Sequence, residues 1–166
     1  MLYFTAEVLG VEVLNRAFNR IDQHVSDLRS VWPDVAAEFY AIEHSAFESE
    51  GGTTSAGRWA PLSPAYAKFK AIAFPGQPIL RATTSLYESM TSPDAADSIY
   101  RVEPLQLTIG SKREGAIYHQ RGTRRMPARP IIALTGEDKR RIQKAIQRGL
   151  VPIIRAAGFQ VDERAA

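Results

Sequence analysis

Three histidines, scattered serines and one arginine-rich stretch are the residues of this 166-residue chain whose types could do chemistry. His24, His44 and His119 are too far apart for one helix to present two of them on a face, the spacing that a zinc site of that kind needs. With no cysteine there is no thiolate ligand, thiol nucleophile or disulfide framework. Ser111 follows Gly110 and Ser63 precedes Pro64, but neither stands between glycines at a strand-to-helix elbow, where a nucleophilic serine would be exposed. Gly110-Ser111-Lys112 lacks the first glycine and the length of a phosphate loop. Glu137 and Asp138 fall where a helix should begin, and the helix dipole accounts for them without catalysis. These patterns predict no enzyme, no metal site and no cofactor.

The arginine-rich stretch is more informative. Lys112, Arg113, Arg121, Arg124, Arg125 and Arg129 lie within eighteen residues. A guanidinium donates in a planar fork that suits both phosphate and carboxylate, so two readings stand side by side. One is nonspecific contact with DNA phosphates, with Tyr118 available for stacking; no helix-turn-helix pattern or aromatic-basic ribonucleoprotein motif accompanies it. The other is a protein interface. Gly122 permits a turn, and Pro127 and Pro130 hold the returning chain extended, so Arg121, Arg124, Arg125 and Arg129 would be displayed on a pinned loop. Trp59, just after a glycine-rich segment, is a candidate anchor for the same interface, with folding onto its own core as the competing reading.

Charge is divided along the chain. Residues 1–50 hold nine acidic and three basic side chains, and residues 51–166 hold nine acidic and eighteen basic. Opposite charge on two faces would draw identical subunits together head to tail, the heterologous contact that closes into rings. No apolar run approaches the roughly 20 residues needed to span a bilayer, so no membrane segment is expected. Met1-Leu2-Tyr3-Phe4 has neither the basic region nor the cleavage site of a secretory signal, and synthesis in a reducing cytoplasm is expected.

Tyr3 to Val8 reads as a short strand. Val11, Leu14, Phe18, Ile21, Val25, Leu28 and Trp32 then alternate spacings of three and four, which predicts a helix with one apolar seam. Pro33 ends or kinks it and opens a second helix, 34–49, with Val35, Phe39, Ile42 and Ala46 on one face. Together they form an expected N-terminal helical hairpin. Residues 51–58 are expected to be a mobile loop. Ser63-Pro64 starts a helix to about Ile72, and the capping-box spacing of Ser85 and Glu88 starts another through Met90. Ile99–Glu103 and Leu105–Ile109 read as antiparallel strands, the second ending at Gly110, with Ile117-Tyr118 β-prone and Ile131–Leu134 a further strand. Thr135 caps a basic C-terminal helix that Gly149 and Pro152 should interrupt, and 161–166 should be a flexible tail. The whole, 1–166, is expected to be one α+β domain: an antiparallel sheet flanked by helices from both ends of the chain.

The order of Tyr118-His119-Gln120-Arg121-Gly122 and Met126-Pro127-Ala128-Arg129-Pro130, after Trp59-Ala60-Pro61-Leu62-Ser63-Pro64, Lys70 and Leu80 to Ser89, resembles the virion morphogenesis family of tailed bacteriophages. The likeness covers roughly residues 45 to 150; Thr84 departs from it where glycine is expected. The resemblance implies a non-enzymatic virion protein that completes the tail or joins it to the head, self-associating into a ring, commonly hexameric, beside other neck or tail proteins. It would be made in the host bacterial cytoplasm and end in the neck or tail end of the virion. A basic accessory protein contacting DNA nonspecifically is the alternative.

Overall fold

The computed structural model describes residues 1–7 and 26–156. Within them the elements run β1 (Leu2–Glu7), α1 (Trp32–Glu48), α2 (Pro64–Ala73), α3 (Ser85–Thr91), β2 (Ser98–Val102), β3 (Gln106–Ser111), α4 (Glu114–Arg121) and α5 (Gly136–Ala156). This is the α+β arrangement the patterning predicts. The seam expected over 11–32 falls mainly on 8–25, and the tail over 161–166, both outside the described residues; α1 is the second arm of the expected hairpin.

The three strands form an antiparallel sheet in the order β1-β3-β2. Pairing of Phe4 with Ile109 and Tyr100 with Ile109 fixes the register, and Leu107 and Ile109 are wholly buried in the central strand. Alternation in β3 is thus the packing code it looked like. Between β2 and β3 a turn is closed by Glu103 and Gln106, with Pro104 at its second position, where its fixed φ suits a tight turn. The Trp32 indole donates to the Glu103 carbonyl at 2.8 Å, and the Leu28 amide to the Pro104 carbonyl at 2.7 Å, so the turn is pinned to the start of α1.

Helix α1 carries most of the core. Val35, Phe39, Ile42 and Ala46 are buried as their spacing predicts, and Phe39 stacks on Phe4 at 4.7 Å. Phe47 meets the edges of Trp59 and Tyr87 at 5.2 and 5.4 Å. The acidic and basic halves also meet here, inside one chain. Glu38 on α1 pairs with Arg141 at 2.9 Å and Arg148 at 3.4 Å on α5, and Glu48 pairs with Arg81 at 2.6 Å. Glu43, buried on α1, is held well above the usual carboxylate range by burial and by the charge of Asp138.

Four local expectations are corrected. Gly149 and Pro152 do not interrupt α5. Ile142, Ala145, Ile146, Leu150 and Ile153 form one stripe on the core, which holds the helix through the proline. Gly149 lies on that stripe because a Cβ there would fall 2.5 Å from Val31 Cγ1. At α3 the cap is Thr84, not Ser85: Thr84 sits at φ +56°, its hydroxyl donates to Glu88 Oε1 at 2.7 Å, and Ser85 becomes the first helical residue. That left-handed geometry explains why the resemblance expects glycine at this position; a β-branched side chain there costs about 1–2 kcal/mol. Ile117-Tyr118 belongs to α4, where Ala116 and Gln120 share the inward face, and Ile131–Leu134 pairs with no strand among the described residues.

Candidate functional site

Three segments distant in sequence are stitched together around the arginine-rich turn: residues 59–61, helix α4 with its exit, and residues 127–133. Gln120, one turn beyond Ala116, puts its amide against the extended chain. Its Oε1 accepts from the Ile131 and Ile132 amides at 2.8 and 3.1 Å, and its Nε2 donates to the Ile132 carbonyl at 2.8 Å. One side chain therefore satisfies the backbone groups that a neighbouring strand would otherwise meet.

Arg129 makes the second stitch. It is 4% exposed, its Nε donates to the Ala60 carbonyl at 2.7 Å and its Nη2 to the Pro61 carbonyl at 2.9 Å, while its backbone amide donates to the His119 carbonyl. Burial weakens its hold on its proton. Trp59, also 4% exposed, completes the frame by donating from Nε1 to the Pro130 carbonyl at 2.8 Å. The glycine-rich stretch before it is tied in at the Ser55 amide, which donates to the Ala133 carbonyl at 2.9 Å.

From this frame the basic turn projects. Gly122 ends α4 at φ +74°, and a Cβ there would meet the Ala128 amide nitrogen at 2.8 Å, so glycine is required twice over. Thr123 and Met126 then exchange backbone hydrogen bonds, leaving Arg124 and Arg125 at the tip of a four-residue turn. Arg121, Arg124 and Arg125 are exposed, and none has an acidic partner within 4 Å among the described residues. The five residues singled out in the sequence are thus brought together but divided in kind: Trp59 and Arg129 lie inside the frame, and the other three arginines are displayed by it.

Beside the turn lies a cleft of about 730 Å³ between α2, the entry to α3 and the start of α4. Lys70, 5% exposed, lines it and donates from Nζ to the Pro78 carbonyl. Burial lowers the proton affinity of Lys70, opposed by the charge of Glu50. His119 also lines it, with Nδ1 buried and unpartnered; burial and the Arg129 charge push its imidazole below the ordinary value, towards the neutral form. Lys70 was visible in the sequence only as one landmark of an ordered pattern. Nothing in its helical neighbourhood announced that the lysine would be buried while Phe69 and Ile72 would not.

The other candidates have structural employment. The Ser111 hydroxyl accepts from Ser89 at 2.8 Å in the core, and Ser63 caps α2 by accepting from the Tyr66 amide at 3.4 Å. His44 is exposed beside Glu48, and His24 lies outside the described residues. Among the described residues no three metal-ligating side chains come together, and no helix is long and apolar enough to cross a membrane. Thr135 and Asp138 cap α5 reciprocally, the Thr135 amide donating to Asp138 Oδ2 at 2.8 Å and the Asp138 amide to Thr135 Oγ1 at 3.1 Å.

No curated protein and no solved structure gives a significant match to the chain. A family model does: it matches residues 9–151, a span containing the Trp59 segment, the Gln120 and Arg129 stitches and the basic turn. The chain belongs to the phage virion morphogenesis family, whose members are structural and assembly proteins of the virion.

Proposed function

We propose that this protein is a non-enzymatic structural component of a tailed phage that completes the tail, or joins tail to head, by assembling into a ring in the neck. The observation that carries the reading is the mounting of Arg124 and Arg125. A turn tip held by two part-buried stitches and a required glycine presents its arginines from a fixed backbone, so only their side chains remain to be ordered on contact, and preorganisation of that kind favours association. A second feature supports it: Tyr66, Phe69 and Ile72 recur on one side of α2 and are 44, 57 and 85% exposed, an apolar stripe of the sort that marks contact surfaces. The partners are further copies of the chain, in a ring whose subunits a mass measurement counts, and other neck or tail proteins. No nucleotide or metal enters the mechanism; association itself supplies the driving force.

The pairing of Glu38 and Glu48 within the chain refines the electrostatic part. Those carboxylates already have arginines, so the basic turn must find its acidic partner on other surfaces. Nonspecific DNA contact is the second reading, favoured by the same three exposed arginines.

Replacing Arg124 and Arg125 together by glutamate tests the proposal. The variant should fold normally, since surface changes of this kind shift stability by no more than about 0.5 kcal/mol, and yield few or no complete particles. Normal particle yield overturns the assembly role of the turn. If the parent protein instead binds duplex DNA with an affinity that falls steeply with salt, and the variant loses that binding, the phosphate reading replaces it.

A further inference from the structure

The cleft beside the basic turn, whose rim includes Arg125 and Met126, also holds two buried cations that are not part of the turn. Two cations, Lys70 and Arg129, line it while only 5 and 4% exposed, and neither forms an ion pair within 4 Å among the described residues. Both are satisfied by backbone carbonyls alone: Lys70 by Pro78, and Arg129 by Ala60 and Pro61. Glu50, the acid whose charge reaches Lys70, has its Oε1 occupied by the Ile79 amide at 2.8 Å. Asp97 on the cleft wall is taken by Arg113 at 3.0 Å, and Glu114 is exposed at the rim.

Carbonyl dipoles compensate a buried cation less fully than a contacting carboxylate does, and the one acid whose charge reaches Lys70, Glu50, makes no ion pair with it within 4 Å. That shortfall turns into binding energy when an anion arrives, because its charge is then desolvated opposite groups already stripped of water. The walls add a second requirement. Leu62, Leu80, Leu86 and Met126 line the same cleft, so the anion must come with apolar neighbours. His119 lines the same cleft, and its Nδ1 is buried without a hydrogen-bond partner.

We propose that the cleft is a docking site for an extended apolar peptide segment carrying a carboxylate, presented by a neighbouring protein of the particle. The apolar walls and enclosed cations suit a carboxylate attached to hydrocarbon better than the hydrated phosphates of a nucleic-acid backbone. The identity of the donor as a particle protein rests on the assembly role proposed above; the chemistry of the cleft does not.

The test uses the full chain and three probes: N-acetyl-phenylalanine, its uncharged amide, and inorganic phosphate. Titration followed by backbone amide resonances should give saturable binding of the acid in the millimolar range, with shifts centred on Lys70, Ala116, His119 and Arg129, and at least tenfold weaker binding of the amide. Lys70→Met should weaken the preference for acid over amide severalfold, because Arg129, Arg113 and Arg125 remain in the lining, in a protein that still unfolds cooperatively. Since Arg129 also holds the frame, Lys70 is the safer residue to change. Equal binding of acid and amide overturns the proposal, as does an unchanged preference in a folded Lys70→Met protein. Phosphate that competes as well as the acid overturns it in favour of a simple inorganic-anion site. Because no particle is needed, failure here leaves the turn's role standing, and normal particle yield from the charge-reversed turn leaves the cleft standing.

Discussion

Helices α1 and α2 begin alike, each with a proline in its first turn, and each carries large apolar side chains at helical spacing. Their surroundings are opposite. Along α1, nine residues are buried between the sheet, α3 and α5; along α2 the one buried residue is Lys70, and the aromatic and aliphatic side chains face outward. The contrast shows that a periodic apolar stripe specifies a helix and a sticky face but not the surface that covers it. In α1 the cover is the chain's own core. In α2 no element of the described chain supplies it.

Phe39→Ala should therefore have the largest effect. Phe39 is fully buried and stacked on Phe4, and losing its ring leaves a cavity under the sheet, a change of about 3–5 kcal/mol. Urea unfolding followed by circular dichroism measures it. A loss below about 1 kcal/mol would mean that the core can collapse around the gap and that α1 is less tightly covered than its contacts state.

A smaller but signed effect is expected at Gly149, where α5 approaches the start of α1. Alanine is the better helix former by about 1 kcal/mol, so helix propensity alone predicts stabilisation. The Val31 side chain is stiff and already within 3.0 Å of where the new Cβ would sit, with Cγ1 at 2.5 Å. Overpacking of about 1–3 kcal/mol should outweigh the propensity gain, giving net destabilisation. Thermal unfolding decides the sign, and a raised midpoint would show that the helices are free to move apart.

This glycine also shows where sequence reading reaches its limit. Read along the chain, Gly149 and Pro152 are breakers; read in space, the first is a contact and the second is overridden by the stripe from Ile142 to Ile153. The elements set by nearest neighbours were legible: the Ser63-Pro64 start, the Thr135 cap, the β2–β3 pair and the buried face of α1. What escaped were features set by distant partners. Ile131–Leu134 has strand-like composition, but its backbone is met by Gln120, and no local pattern distinguishes a side-chain amide from a strand as the partner. The division of the candidate residues into framework and display has the same origin, because Arg129 and Arg125 are chemically identical until the Ala60 and Pro61 carbonyls are placed beside one of them.

The smallest effect on stability belongs to Ile72→Ser, and it bears most directly on the difference between the two helices. At 85% exposed, Ile72 buries almost none of its apolar area within the chain, so its replacement should change unfolding free energy by less than about 0.5 kcal/mol. In the assembled particle the same side chain should be covered, and the variant should then assemble less completely at a given concentration. Parallel measurement of unfolding and of sedimentation across a concentration series separates the two effects. A loss of stability approaching that of Phe39→Ala would mean that the α2 face packs within the single chain, and the distinction between a covered helix and a waiting one would fall with it.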